Sequence, residues 1–330
     1  MIVAVALSPA IDRTFVVARL DLGGVNRPTI NSVSAGGKGV NVARVALALG
    51  AKDVTLAAIV DRAGEFLRSL DAEFADPDAT GGGAPPCAPD DARPLLRRLL
   101  TIGPERARMC LSVTDVASGE TTNFNEPAAP IDHDLWASFV HRLGAAIAAP
   151  GEATGWLALC GSAPDGIGPG AIAGLIDVAR RNGWRVAVDT SGAPLREALS
   201  AGPDVVKVNA HEAAEIVGDG PPEVLVERLE VLAPTTVAIV TAGTDGAYAR
   251  GIAARCDRHG RYPTGSGDAF LAALLTNLDG GALRHDRPRV HLPGALRAAV
   301  GAAAANAQRP GAGVVDARQA AAFSQDVIIT

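Results

Sequence analysis

The sequence has little of what would mark a metal, disulfide or membrane protein. Its four cysteines (Cys87, Cys110, Cys160, Cys256) stand apart with no CxxC pair, and its six histidines do not cluster. That pattern argues against a zinc site and a disulfide framework, and for free thiols in a reducing cytoplasm. No apolar run reaches the roughly 18 residues that a membrane helix needs. There is no basic tract either: 30 Lys and Arg are spread against 36 Asp and Glu, for a net charge of −6. Nucleic acid and anionic membrane are therefore excluded as main partners, and any anionic ligand must be held by a few local cations. The opening MIVAVALSPAID lacks a basic leader region, and its apolar run stops at Leu7 before Ser8-Pro9 and Asp12. It reads as a first β-strand. No internal repeat is present.

What is there is alternation. Nearly half of the 330 residues are hydrophobic, enough for two average domains or one large α/β domain. Short apolar runs at Ile2–Leu7, Val54–Val60, Gly155–Cys160, Arg185–Asp189, Val205–Val208 and Val237–Thr241 read as buried strands. Between them, Val40–Leu49, His133–Ala149, Gly168–Asn182, Pro222–Leu232, Asp268–Leu278 and Pro293–Ala307 read as helices. This order predicts a mainly parallel sheet flanked by helices, with ligands beyond the carboxyl ends of the strands. Two strand pairs break the rhythm: Arg13–Val17 with Asn26–Val33, and Arg108–Thr114 with Glu120–Asn125 around the turn Val116–Gly119. They are expected to form a small separate sheet, used as a lid or simply as an edge hairpin. Residues 75–94, rich in Gly, Pro, Asp and Ala, read as a flexible surface loop without chemistry.

Two glycine-rich turns carry the chemistry. Gly36-Gly37-Lys38-Gly39 opens an apolar helix that ends at Gly50. It is not a Walker A loop, because Gly39 stands where a metal-binding hydroxyl is required. Lys38 sits at a helix mouth, where backbone N–H groups and the dipole favour an anion, and glycines permit close approach. Asn41 and Arg44, three apart, share one face of this otherwise apolar helix, and a buried Asn41 needs a polar partner. The second turn, Gly265-Ser266-Gly267-Asp268, also leads into a helix. Its N–H groups suit the charge developing on a transferred phosphoryl group, and the carboxylate beside them can accept the proton of an attacking hydroxyl. Taken alone, Asp268 could equally be an N-cap. Thr241 to Gly246 ends a strand with small residues over which a nucleotide could lie. Asn209 and Glu212, three apart after Lys207, could hold magnesium-bound water around a triphosphate, or Glu212 could simply satisfy a helix dipole.

In this order, the pieces resemble the PfkB or ribokinase-like family of carbohydrate kinases, from LSPAID (Leu7–Asp12) to NAQRPGAG (Asn306–Gly313). LSPAID, GGKGVN and TTNFNEP (Thr121–Pro127) look most like the branch of 1-phosphofructokinases and tagatose-6-phosphate kinases. The resemblance implies one ribokinase-like domain over residues 1–330, with a Rossmann-like core and a lid from about 13–34 and 107–125. It implies that ATP and Mg2+ are used to phosphorylate a sugar hydroxyl, with Asp268 as general base and the backbone of Gly265, Ser266 and Gly267 as anion hole. It also implies that Gly36, Gly37 and Lys38 lie on the substrate side, where Lys38 and Arg108 pair with a phosphate already on the sugar. Asp12, Gly37 and Asn41 would then hold sugar hydroxyls, with Ser162 touching the substrate. On the nucleotide side it implies Lys207, Asn209, Thr241, Gly243 and Gly246, Asn306 near the base, and Glu212 as the magnesium-associated acid. Tyr262-Pro263 replaces the Asp-Thr tied to monovalent-cation activation in some relatives, so no such requirement is expected.

The leading expectation is therefore a cytoplasmic kinase acting on fructose 1-phosphate, with a homodimer through the lid by family analogy. Tagatose 6-phosphate or fructose 6-phosphate is the neighbouring alternative. A kinase of an unphosphorylated sugar fits less well, because two fixed cations are costly to desolvate without an anion. A sugar-phosphate sensor without activity would need neither Asp268 nor the Asn209/Glu212 pair.

Overall fold

The computed structural model describes residues 1–74, 96–148, 155–278 and 291–330. The glycine- and proline-rich stretch at 75–94, Cys87 and Ala149 lie outside the described residues. In chain order the strands are β1 (Ile2–Ala6), β2 (Ala10–Val17), β3 (Ile30–Gly36), β4 (Val54–Val60), β5 (Leu96–Ile102), β6 (Arg108–Asp115), β7 (Thr121–Asn125), β8 (Trp156–Cys160), β9 (Arg185–Asp189), β10 (Val205–Asn209), β11 (Val237–Thr241), β12 (Ala247–Ala249), β13 (Ile252–Arg255) and β14 (Ile328–Ile329). Ten of them form one sheet in the order β14-β13-β12-β11-β10-β9-β8-β1-β4-β5; the other four form a small sheet in the order β3-β2-β6-β7.

The large sheet is parallel from β5 to β11 and antiparallel beyond it. All five residues of both β1 and β8 are buried, as helices on both faces demand. The period-2 geometry of β1 divides its side chains between two cores. Ile2, Ala4 and Ala6 join the layer containing the helices Lys38–Ala48, Ser266–Asn277 and Leu292–Asn306. Val3, Val5 and Leu7 join the opposite layer, with the helices His133–Ile147, Ala171–Arg181 and Pro222–Leu232. The first layer is thin at one point. A Cβ on Gly39 would lie 2.6 Å from the Ala6 Cα, so the mouth of helix Lys38–Ala48 rests directly on the carboxyl end of β1.

The small sheet leaves the large one at that same end. β1 stops at Ala6 and β2 starts at Ala10, running parallel to β6 from Ala10 opposite Arg108 to Val17 opposite Asp115. Register divides its faces. Asp12, Ser34, Cys110 and Asn125 share one row and one face, while Arg13, Val33, Leu111 and Phe124 share a row on the other.

Element boundaries differ from expectation where local hydrogen bonds intervene. The second lid strand is Ile30–Gly36 rather than Asn26–Val33. Asn26 exchanges bonds with Asp21, donating to its carbonyl and accepting from its N–H, both at 2.8 Å, which closes a turn before Arg27-Pro28. The first lid strand begins at Ala10, three residues early, because Ala10 pairs with Gly36 as well as Arg108. Strand β5 (LRRLLTI) and the helices Glu65–Phe74, Gly192–Ala201, Ala210–Val217 and Ala317–Gln325 have no counterpart in the sequence reading. Among the described residues, no helix is long and apolar enough to cross a membrane.

Candidate active site

A cleft of about 870 Å³ lies between the small sheet and the carboxyl ends of the central strands. This is the upper part of the range for small-molecule sites. Among its walls are Asp12, Gly37, Lys38, Asn41, Arg108 and Ser162 toward the lid, and Lys207, Asn209, Glu212, Thr241, Gly243 and Gly246 toward the far end of the sheet. Gly265, Ser266, Gly267 and Asp268 line it as well. The structure thus gathers all the expected site residues into one cavity except Gly36 and Asn306.

Those two serve from behind. A Cβ on Gly36 would fall 2.0 Å from the Asp12 carboxyl carbon, so this glycine gives the Asp12 side chain its room. Asn306 is fully buried. Its Nδ2 donates to the Thr264 carbonyl (2.9 Å) and to Ser266 Oγ (3.1 Å), and its Oδ1 accepts from the Val314 N–H (3.1 Å). It straps the GSGD turn in place from behind the cleft wall.

The GSGD turn decides between the two readings of Asp268. The cap of helix Ser266–Asn277 is Gly265, with φ 81° and no side-chain cap bond. A Cβ there would also meet the Gly313 N at 2.4 Å, so the left-handed conformation and the close loop both require glycine. Asp268 is the third helical residue and is free of any capping duty. Its Oδ2 accepts from Asn41 Nδ2 at 2.7 Å, both residues being buried. Burial pushes its carboxyl up to about 7, and Asp189 adds to this, against the pull of Lys38, the Asn41 donor and Lys207. Of the N–H groups at the start of this helix, which a helix leaves unpaired, that of Ser266 already donates to the Pro263 carbonyl (3.0 Å), while those of Gly265, Gly267 and Asp268 have no backbone acceptor among the described residues.

The chain has only three lysines, and two of them meet on one carboxylate. Asp189, at the carboxyl end of β9, is 0 % exposed. Its Oδ1 accepts from Lys38 Nζ at 2.6 Å and its Oδ2 from Lys207 Nζ at 2.7 Å. Burial works against the Asp189 charge, but the two ammonium groups outweigh it and hold the carboxyl below its ordinary range. A Cβ on Gly267 would lie 2.7 Å from Lys207 Nζ, which puts this ammonium against the GSGD turn. Lys38 also lies 3.5 Å from Glu212 Oε1. Burial tends to discharge Lys38, yet Asp189, Glu212 and Asp268 together raise its pKa and keep it charged. Asp189 was invisible to motif reading. The available signal was a carboxylate ending an otherwise apolar strand, RVAVD, where α/β sheets bind ligands.

Asn209 and Glu212 do not present a free pair of oxygens. They form a capping box on helix Ala210–Val217: Asn209 Oδ1 accepts from the Glu212 N–H (2.8 Å) and Glu212 Oε2 from the Asn209 N–H (2.9 Å). Glu212 Oε1 alone is left toward the cleft, beside Lys38. At the lid root, Arg108 donates to the carbonyls of Ser8 (2.9 Å) and Glu126 (3.1 Å). Its buried Nε has no partner. Burial raises the Asp12 pKa, opposed by Arg44, the Gly37 N–H and Arg108.

Comparison with known proteins bears on the fold and the family. Residues 102–318 match the pfkB family carbohydrate kinase domain. A 1-phosphofructokinase from Rhodobacter capsulatus is 33% identical over 286 residues, covering 83% of this chain and 82% of that protein. Phosphofructokinase-2 from Escherichia coli, solved in complex with substrates and products, superposes with a TM-score of 0.77 at 22% identity, covering 98% of each chain. A possible 1-phosphofructokinase from Thermotoga maritima gives 0.77 at 18% identity, covering 100% of this chain and 99% of that one. At such identities the two structures speak for the fold.

Removing Asp189 strands a buried ammonium. Asp189→Ala should destabilise the protein by roughly 3 kcal/mol, as for a broken buried ion pair, read as a lowered urea midpoint at unchanged slope. An unchanged midpoint would show that the two lysines find water instead.

Proposed function

The chain belongs to the pfkB family of carbohydrate kinases, and on that footing we propose that it transfers the terminal phosphoryl group of ATP to fructose 1-phosphate, giving fructose 1,6-bisphosphate. Kinase activity on a carbohydrate, with ATP as donor, follows from the family. The geometry of the cleft supports the acceptor and the residue roles that follow.

The observation that carries the mechanism is Asp268: a buried carboxylate beside two unspent helix N–H groups, hydrogen-bonded by Asn41 and raised to about 7. In this reading it accepts the proton of the acceptor hydroxyl as that oxygen attacks the γ-phosphorus and the bond to the β,γ-bridging oxygen breaks. The N–H groups of Gly267 and Asp268, with Lys207 beside them, face the charge on the transferring group. Lys38, seated between Asp189, Glu212 and Asp268, serves the same group rather than the sugar's own phosphate. The small residues Thr241, Gly243 and Gly246 and the amide of Asn209 mark the nucleotide side. Glu212 Oε1 offers one carboxylate oxygen to the cleft, which fits Mg2+ held mainly by phosphates and water; when bound, the ion would neutralise charge on the phosphate oxygens.

The lid side holds the sugar. Asp12 and Asn41 offer polar groups to hydroxyls, with Gly37 and Ser162 lining the same wall. Arg108, whose unpartnered buried Nε points to an absent anion, takes the phosphate already on the substrate. A homodimer through the lid is supported by the outer face of the small sheet, where Val33 is 56 % and Phe124 59 % exposed in one row. Exposed apolar rows of this kind mark interaction surfaces.

Four outcomes are expected. Asp268→Asn should lower kcat by about 10³-fold or more with ATP and sugar binding nearly unchanged, and wild-type turnover should fall as pH drops through about 7, where the carboxyl protonates. A variant retaining more than about a tenth of the turnover would remove the base assignment. ADP release measured across fructose 1-phosphate, fructose 6-phosphate, tagatose 6-phosphate, fructose and ribose should favour the first. Arg108→Met should raise the KM for the preferred sugar phosphate about 10- to 100-fold, the worth of a charge-assisted bond, while leaving that for ATP within about threefold; an equal rise for both contradicts the placement. By light scattering the wild type should be a dimer and Phe124→Asp a monomer, and a monomeric wild type refutes the interface.

A further inference from the structure

Behind the cleft, Arg44 has all five of its guanidinium protons matched by acceptors, the full capacity of the side chain. Its Nε and one NH2 proton go to the Glu73 carboxylate, the latter at 2.8 Å. The other NH2 proton goes to the carbonyl of Ala35, in lid strand β3. One NH1 proton goes to Asn41 Oδ1 at 2.6 Å and the other to the Ala312 carbonyl at 2.8 Å. Neither Arg44 nor Glu73 lines the cleft, and no motif drew attention to Glu73.

We propose that Arg44, held in plane by Glu73, is a positioning residue that sets the orientation of the Asn41 amide and thereby keeps Asp268 ready to act as a base. An amide offers an oxygen on one side and an NH2 on the other. Arginine can only donate, so the atom of Asn41 that faces it must be oxygen. Nδ2 is thereby turned to Asp268 and must find an acceptor there. An N–H donor aimed at a carboxyl oxygen favours the ionised form. Without Arg44 the amide is free to flip and would present its oxygen to Asp268, which satisfies a protonated carboxyl instead.

The other two bonds tie this switch to its surroundings. Ala312 belongs to the loop that packs on Gly265, where a Cβ would meet the Ala312 Cα at 2.8 Å. Ala35 is the last residue but one of the lid strand, next to Gly36, which makes room for Asp12. One planar group therefore fixes lid root, anion-hole loop and base together. The guanidinium is suited to this and an ammonium is not, because only the former offers five protons in a rigid fork. The groups acting on Asp268 come from three elements around it: Asp189 from β9, Lys38 and Asn41 from helix Lys38–Ala48, and Lys207 from β10, while Cys160 of β8 faces it and is itself raised by the Asp268 charge. Arg44 reaches it only through Asn41.

This inference rests on Asp268 as base, and the experiment separates the two. The pH dependence of kcat/KM is compared in wild type, Arg44→Lys and Arg44→Met. The acid limb should move upward by about one pH unit in Arg44→Met, the worth of a hydrogen bond to a charged group. It should move part of the way in Arg44→Lys, which retains the charge and fewer bonds. Activity near pH 9 should be largely retained in both. A purely structural role would scale the whole profile down without moving the limb, so profiles that superimpose after scaling, or a limb that moves downward, overturn the proposal. Should Arg44→Met fail to fold, the Arg44→Lys limb decides alone. If the base assignment itself is wrong, Asp268→Asn stays active whatever Arg44 does; if only the positioning role is wrong, Asp268→Asn is dead and the limb stands still.

Discussion

The cleft depends on one buried carboxylate, Asp189. It has no exposed surface, and it accepts from Lys38 on one side and Lys207 on the other. Two ammonium groups are thereby held on the two oxygens of a single anion, in a protein that is acidic as a whole. The same anion acts on Asp268, raising its pKa in concert with burial while the lysines pull it down. One group therefore both gathers the two lysines and raises the proton affinity of Asp268. Because ion pairs away from water are stable only with close geometry on every side, the strands and helices around Asp189 have little freedom in placing their ends.

Close approach of backbone to backbone makes this possible. Gly39 lets its helix settle onto Ala6, which fixes Lys38 over the sheet, and Gly265 lets the 312–313 loop lie against the GSGD turn. Gly267 yields space to the Lys207 ammonium. At each of these points a side chain as small as alanine would collide with backbone or with a charged group. The glycine-rich turns thus do two things: they free helix N–H groups for an anion and bring the cations that share it within reach.

Legibility in the sequence followed the range of the interaction that fixed each part. Buried strands such as Val237–Thr241 and Val54–Val60 were readable because most of their residues are buried in one apolar run. Asp268 and Lys38 were readable because they stand beside glycine turns. Strand β5 was missed because its two arginines interrupt the apolar run, and it pairs only at the sheet edge with β4. The strapping bonds of Asn306 were not legible because they reach the GSGD turn some forty residues earlier. The Asn209/Glu212 pair was correctly seen to share a face. Its closure into a capping box, with one glutamate oxygen left over, depends on rotamers that spacing does not encode.

By itself the sequence determined the alternation that makes a parallel sheet, the two glycine turns, the acidic balance and the order of motifs that marks a carbohydrate kinase. These are local or periodic properties, set by side-chain volume, backbone freedom and hydrophobic spacing. Only the tertiary structure decided which charges meet. Asp189 and Lys38 are 151 positions apart, Asn41 and Asp268 are 227 apart, and Arg44 and Ala312 are 268 apart. Electrostatic energy falls with distance in space and is indifferent to separation along the chain. The protonation state of the base and the direction of the Asn41 amide therefore emerge only when the strand ends converge.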